Sequence, residues 1–179
     1  MKKFIIFMIM LMLVFSITAC GNSSEDSADT SNESAENENA SVEAEEEKVY
    51  GIGDTWTVDG QWNFTIDSVE PTDERNEFEE SEPTQVVVIS YNYENTGYED
   101  ADGVMEGLFI EPDSAIDSDG NMCKPYPVDV EYPQETPVGA KCAASVAFGL
   151  KKEGSPITIN MSQYDGNGNE QKAKFVLEF

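Results

Sequence analysis

The chain has 179 residues, with 36 acidic and 10 basic side chains and no histidine, so its net charge at neutral pH is −26. This charge argues against nucleic acid as a partner, because proteins neutralise phosphate backbones with lysine and arginine. It equally argues against electrostatic docking on anionic lipid. The lack of histidine removes the commonest general base and the commonest metal ligand, and the length suits one domain plus a targeting sequence.

Residues 1–19 have the pattern of a secretory signal peptide. Two lysines, Lys2 and Lys3, precede an unbroken apolar run over residues 4–15. The run is shorter than the roughly 20 residues that a membrane-spanning helix needs, which favours a cleaved signal. The alternative interpretation, in which the apolar run extends to residue 19, is an uncleaved N-terminal membrane anchor.

The last residues of this segment resemble the lipobox of bacterial lipoproteins. Ile17, Thr18, Ala19 and Cys20 follow the apolar run, and Ile17 stands where leucine is usual. The resemblance implies transfer of a diacylglyceryl group to the Cys20 thiol and cleavage just before it. Several acyl chains anchor a protein firmly where one does not, since each buried methylene adds about 0.8 kcal/mol. We therefore expect a membrane partner through Cys20, at the extracellular face of the bacterial cell membrane.

Residues 20–48 form a predicted disordered acidic tether. From residue 21 onward this segment holds ten acidic residues against Lys48, with no aromatic residue and Val42 as its one β-branched apolar residue. Such a composition cannot bury enough apolar surface to offset the entropy of ordering. The segment is expected to act as a spacer between the membrane and a folded domain.

Residues 49–179 are predicted to form one all-β domain, because aromatic and β-branched residues alternate with polar ones between turn signals. This part carries 26 acidic and 7 basic residues. No long helical periodicity is present, and the turn signals recur about every ten residues, as in a sandwich or barrel. The predicted strands are 54–58, 61–69, 84–94, 104–110, 122–130, 141–150, 156–161 and 172–179.

Three stretches of this domain resemble the DUF4352 and DUF5067 types of extracellular domain. They are GDTWTV at 53–58, TQVVVISYNYENTG at 84–97, and PVGAK at 137–141 leading into a strand that ends at Phe148. The resemblance covers roughly residues 50–179. It implies an immunoglobulin-like antiparallel β-sandwich on a Gram-positive lipoprotein. No functional residues are established for these domains, so the resemblance carries none over to this chain.

The sequence offers no catalytic, cofactor-binding or metal-binding constellation. Without histidine, a serine or cysteine nucleophile would need a lysine or carboxylate as its base. The segments 117–121 and 165–169 have oxygen ligands at alternate residues. An EF-hand loop, however, needs glycine at its sixth position and glutamate at its twelfth, which from residue 117 are Met122 and Val128. Both segments are therefore predicted to be hairpin turns.

Two further features leave alternatives open. The acidic stretch 70–82 is predicted to be a solvated loop, and Phe78 within it either contacts a partner or folds back on the core. After lipidation of Cys20, Cys123 and Cys142 remain in an exported chain where oxidation is permitted. We predict a disulfide between them, which would close a loop of about 20 residues. The alternative is two free thiols.

These observations predict a cell-surface lipoprotein that displays a non-catalytic binding or interaction domain, with a protein or cell-envelope partner. One alternative is an accessory subunit of a membrane transporter or wall complex. A second alternative is an enzyme acting on cell-wall polymers, since paired carboxylates are available among the many acids.

Overall fold

The computed structural model describes residues 48–100 and 102–179. The predicted signal peptide, Cys20 and all of the predicted tether except Lys48 lie outside the described residues. The described residues contain nine strands and no helix. The strands are β1 Val49–Tyr50, β2 Thr55–Val58, β3 Trp62–Thr72, β4 Gln85–Asn95, β5 Ala115–Ile116, β6 Met122–Cys123, β7 Lys141–Leu150, β8 Ile157–Tyr164 and β9 Glu170–Leu177.

The strands form two sheets that pack face to face as a β-sandwich. One sheet has the order β2-β3-β4-β7 and the other has the order β1-β9-β8-β5-β6. The neighbours β3-β4-β7 and β9-β8-β5-β6 reproduce the A-B-E and G-F-C-C′ arrangement of immunoglobulin-like domains. All pairings are antiparallel except that of β1 with β9, which is parallel. The predicted fold class, an immunoglobulin-like antiparallel β-sandwich, is confirmed.

The long strands lie where alternation predicted them. In β4 one face carries four buried side chains, Val87, Ile89, Tyr91 and Tyr93, each at most 1% exposed. The observed bounds of β7 coincide with the predicted strand 141–150. Both predicted hairpin turns at 117–121 and 165–169 are present.

The predicted strand 104–110 is wrong. Its only ladder contact in the described part of the chain is an isolated bridge between Leu108 and Thr136. The backbone N–H groups of Val104 and Met105 donate instead to the carboxylate of Asp100, at 2.7 and 3.0 Å. Because these donors are taken by a side chain, they are not available to a neighbouring strand.

The predicted strand 122–130 is largely wrong, because only Met122–Cys123 belongs to a strand. The next residues leave that sheet and run along the outer edge of β7, where Gly149 N donates to Lys124 O at 3.2 Å and Tyr126 N donates to Ala147 O at 2.8 Å. Two prolines, at positions 125 and 127, lack the N–H that a continuous ladder requires. The chain therefore crosses from one sheet to the other at this point.

The main core lies between the sheets and is rich in aromatic rings. Trp56 meets Trp62 edge to face with 5.5 Å between centroids, and Phe64 meets Phe175 in the same manner at 5.6 Å. A smaller cluster of Val86, Tyr126 and Ala147 lies apart from the main core, with Val88, Val128 and Val130 packed against it. This outer cluster fixes the segment that follows β6 against the face of β4 and β7.

The two ends of the sandwich are distinct. The turn at 165–169 and the turn after β2 meet at one end, where Gly166 N donates to the side chain of Gln61 at 2.9 Å. The connection from β3 to β4 lies at the opposite end, together with residues 150–156, since Thr84 N donates to Leu150 O at 2.8 Å. β1 runs parallel to β9, so the chain enters the sandwich from the end that holds the 165–169 turn.

β3 is only partly covered on its outer side. β2 pairs with it over Trp62 to Thr65, and Gly53 N donates to Ile66 O at 2.8 Å. Between Ile66 and Ser68 the register of β3 against β4 shifts by one residue, which is a β-bulge. From the bulge to Thr72 the described chain supplies no second neighbour for this strand.

Candidate functional site

The acidic connection between β3 and β4 is the most distinctive surface of the domain. The stretch 73–82 holds six acidic residues and one basic residue, Arg75. The predicted loop began at residue 70, but β3 extends through Thr72, so residues 70–72 belong to the strand. The remaining residues form an irregular connection at the end of the sandwich opposite the chain entry.

This loop is attached to the segment that follows β6. Asn76 N donates to the hydroxyl of Tyr126 at 3.3 Å, and the Asn76 side-chain amide donates to Pro127 O at 3.2 Å. In a third contact, Asp129 N donates to the carboxylate of Glu74 at 3.4 Å. Because Tyr126 belongs to the outer cluster, the loop is tied to a packed part of the domain.

The side chain of Phe78 projects into solvent. It is 87% exposed, while its N–H donates to the Asn76 side-chain oxygen at 2.9 Å, so its backbone is held although its ring is free. Of the two alternatives left open by the sequence, the structure supports the exposed one: Phe78 does not fold back on the core. Its ring is therefore available for contact with a partner.

A second exposed aromatic residue, Tyr132, faces the same open cleft as Phe78 and is 73% exposed. The cleft between the loop and the segment 127–132 has a volume of about 570 Å³. We call it the Phe78 cleft; its lining includes Glu74, Asn76, Glu77, Phe78, Asp129 and Tyr132. Tyr132 was not among the residues predicted from the sequence, although an aromatic residue between Glu131 and Pro133 in a polar stretch was a visible signal.

The Asp117 and Asp165 carboxylates, the strongest cation-site candidates in the sequence, are occupied by the chain itself. Asp117 accepts from Asp119 N, Asn121 N, the Asn121 amide and Lys152 N, at 2.8 to 3.1 Å. Burial raises the pKa of Asp117, but the hydrogen bonds from Asn121 and the backbone outweigh it and leave that pKa below its ordinary value.

Asp165 repeats the same arrangement in the second turn. Its carboxylate accepts from Asn167 N, Asn169 N and the side chain of Gln171, at 2.9 to 3.0 Å. The backbone bond from Asn169 is the main cause of its lowered pKa. Both carboxylates therefore serve to close turns. Within residues 48–100 and 102–179 no group of three or more acidic or cysteine side chains is arranged to hold a metal ion.

The predicted disulfide between Cys123 and Cys142 is not formed, and both thiols are free. Lys124, the neighbour of Cys123, accepts a hydrogen bond from the backbone N–H of Gly149, near the end of β7. Cys142 lies seven residues before Gly149 on that strand, about 24 Å away at the ordinary rise per residue. A disulfide requires Cα atoms within roughly 7 Å of one another, so the two ends of β7 keep these cysteines apart.

A tyrosine pair lies inside the sandwich near Cys142. The rings of Tyr91 and Tyr93 stack with 6.5 Å between centroids, and Tyr93 donates its hydroxyl to Gln134 O at 2.6 Å. Burial, with a smaller contribution from the Cys142 thiol, raises the pKa of Tyr93 to about 12. Burial also raises the pKa of Tyr91, whose hydroxyl is buried without a partner. Both groups stay neutral at physiological pH, which makes them poor bases.

The fold places this chain among the β-sandwich proteins, and solved structures share its architecture. The yjhA protein of Bacillus subtilis superposes with a TM-score of 0.50 at 14% identity, over 70% of this chain and 99% of that one. The secreted protein MPT63 of Mycobacterium tuberculosis gives 0.48 at 12% identity, over 74% and 98%. An uncharacterised β-sandwich protein from Clostridium difficile 630 gives 0.42 at 18%, over 74% and 96%.

No family model matches the sequence, and no curated protein matches it significantly. At these identities the structural likeness concerns the fold alone. In the part of the chain that the structure describes, no helix is long and apolar enough to cross a membrane.

Proposed function

We propose that this protein is a lipoprotein of the bacterial cell surface, anchored through Cys20, and that its sandwich is a non-catalytic binding module of the DUF4352/DUF5067-like type. The anchor is supported by the apolar run and the Ile17 to Cys20 motif. The binding role is supported by one observation above all: Phe78 is 87% exposed on a loop whose backbone is fixed.

The absence of a catalytic role is part of the same proposal. The sequence contains no histidine. The carboxylates of Asp117 and Asp165 are saturated by hydrogen bonds from their own turns, which leaves them unsuited to proton transfer. The tyrosines inside the sandwich have raised pKa values, and the acids of the Phe78 cleft line an open surface rather than an enclosed site.

The position of the Phe78 cleft favours presentation to an external partner. The chain enters along β1 from one end of the sandwich, while the loop carrying Phe78 lies beyond Thr72 at the other end. β3 has eleven residues, which span roughly 35 Å. Where the described chain begins, it therefore runs from the end of the sandwich opposite Phe78.

Site-specific photo-crosslinking in intact cells tests this function. A photoreactive residue replaces Phe78 in one strain. In a matched control strain it replaces Tyr164, the last residue of β8, which is 60% exposed at the opposite end of the sandwich. We expect a discrete cross-linked product from position 78 and none from position 164. If the product is one stoichiometric membrane protein, the accessory-subunit interpretation is selected over an independent binding protein.

Two results contradict the proposal. One is the same set of products from both positions, or no product from either, because the Phe78 cleft would then not be a contact surface. The other is turnover of a cell-wall polymer by the purified protein that is lost on single carboxylate substitutions, because the domain would then be an enzyme.

A further inference from the structure

We propose that the Phe78 cleft binds an extended polypeptide segment through its lysine or arginine side chains; this rests on the proposed function and names the partner's chemistry. The first step is the charge of the lining. Glu74, Glu77 and Asp129 face the cleft, and four more acids lie in the same loop between residues 73 and 82.

Arg75, the single cation of the lining, offsets one of these charges but pairs with none of the carboxylates. The Arg75 guanidinium is turned back on its own loop, where it donates to Thr72 O at 2.9 Å and to Glu74 O at 2.8 Å. It forms no ion pair with a carboxylate; the two such ion pairs within the described residues join Lys141 to Glu94 and Lys172 to Glu170. Residues 73–82 therefore keep a net charge of −5, and within the described residues no lysine or arginine side chain pairs with their carboxylates.

The aromatic rings add a second attraction for the same class of side chain. The faces of phenylalanine and tyrosine rings attract lysine and arginine cations electrostatically. Phe78 and Tyr132 offer such faces beside Glu77 and Asp129. An aromatic ring next to a carboxylate also accepts the aliphatic stem of a long basic side chain, which an inorganic cation does not have.

The shape of the cleft selects an extended segment. Its 570 Å³ are open to solvent, so it cannot enclose a small molecule. The loop side is already fixed by the bonds from Asn76 to Tyr126 and Pro127, so binding need not order it. Anionic polymers are repelled by the same acids, and an apolar segment would leave them unpaired.

The test uses the full-length protein in detergent and fluorescence anisotropy with three labelled peptides of equal length. One peptide alternates lysine and arginine with serine, the second replaces the basic residues with glutamate, and the third with glutamine. We expect saturable binding of the basic peptide alone, weakening with added salt because exposed charges are screened. We expect Phe78→Ala to weaken it about two- to fivefold, which corresponds to one cation–ring contact at an exposed site.

Matched controls separate the site from the overall charge of the domain. Tyr164→Ala removes an exposed aromatic residue at the other end and is expected to leave the affinity unchanged. Glu77→Lys is expected to abolish binding, whereas Glu99→Lys, the same change on an exposed residue next to the 165–169 turn, is expected to reduce it only slightly.

Three results overturn the inference: equal affinity for the glutamate or glutamine peptide, equal losses from Phe78→Ala and Tyr164→Ala, or no binding of the basic peptide. The crosslinking experiment distinguishes this failure from failure of the proposed function. A product at position 78 without binding of the basic peptide leaves the function standing and removes the inference. If there is neither a product at position 78 nor binding of the basic peptide, both the proposed function and the inference are contradicted.

Discussion

The side-chain amide of Asn95 donates to the carbonyl oxygen of Thr136 at 2.9 Å, and this bond joins the end of β4 to the segment that covers it. Asn95 is fully buried. Its amide also donates to Tyr98 O at 3.0 Å, and its side-chain oxygen accepts from Gly97 N at 3.0 Å and from Tyr98 N at 2.7 Å. All four hydrogen-bonding positions of this side chain are therefore used.

Replacement of Asn95 by alanine is expected to destabilise the domain by about 1–3 kcal/mol, because it leaves buried backbone groups without partners. The measurement is the free energy of unfolding in urea. Asn92→Ala is the control: that amide donates to the exposed carboxylate of Asp67 at 2.8 Å, which water can replace, so we expect a loss within about 0.5 kcal/mol. Equal losses from both variants would show that Asn95 does not hold the corner of β4.

The stability of the turn at 117–121 is expected to depend on acid pH through Asp117. The folded-state pKa of Asp117 lies below its ordinary value of 3.8, because hydrogen bonds from Asn121 and the backbone outweigh the opposing effect of burial. A depressed pKa contributes stability that is present above the unfolded value and is lost as the pH falls through it toward the folded value. Stability from this group should therefore begin to fall below about pH 4 and be lost once the pH has passed the folded-state pKa.

Urea unfolding from about pH 6 to about pH 2 measures this effect. We expect Asp117→Asn to be less stable than the parent at neutral pH and to lose less on acidification. Asp119→Asn serves as the control, since that side chain is exposed and only its backbone N–H is bonded to the turn. The relief of repulsion between the many acids affects all three proteins alike, so parallel stability curves for parent and Asp117→Asn would contradict the assignment.

The two cysteines of the domain are expected to titrate as free thiols. Cys142 is half-buried and Cys123 is buried, so a thiol reagent should modify Cys142 first in the folded protein and Cys123 only after unfolding. The Cys20→Ser variant, purified without reductant, leaves these two thiols alone to be counted by mass spectrometry. Recovery of a disulfide-linked peptide pair from that sample would contradict the separation along β7.

Lipid attachment at Cys20 remains a prediction from the sequence. Cells that express the protein and are fed a palmitate analogue should incorporate the label, and the protein should sediment with the membranes. Cys20→Ser should abolish both properties, since the thiol is the site of acyl transfer. Retention of label and of membrane association in that variant would remove the lipoprotein assignment.

Much of the sandwich could be predicted because its long strands are half-buried. In β4 and β7 buried and less buried side chains alternate over about ten residues, and that alternation is a property of the sequence itself. Val86, on the outer face of β4, is also buried, as expected for a strand that is covered on both faces at its start. The cover is Tyr126, whose position no local pattern indicated.

The wrong predictions have a different cause from the correct ones. The stretch 104–110 has strand-like residues, but Asp100 takes the N–H groups of Val104 and Met105. The two cysteines are close in sequence in a chain predicted to be exported, but the chain crosses between sheets at Pro125, so Cys123 lies near the far end of β7. For the same reason the sequence indicated Phe78 but not Tyr132, because Tyr132 reaches the Phe78 cleft through that crossing.

The incomplete cover of β3 has a consequence for crowding. In the proposed membrane-anchored form, copies of the protein share a plane, and an open strand edge invites a neighbouring copy to add a strand. In the alternation of an antiparallel ladder, Pro71 turns its backbone nitrogen to the open side, where it has no hydrogen to donate, and the bulge at Asp67 interrupts the straight edge before it. We therefore expect neighbouring copies at high surface density to remain separate molecules, with no strand pairing between their sheets.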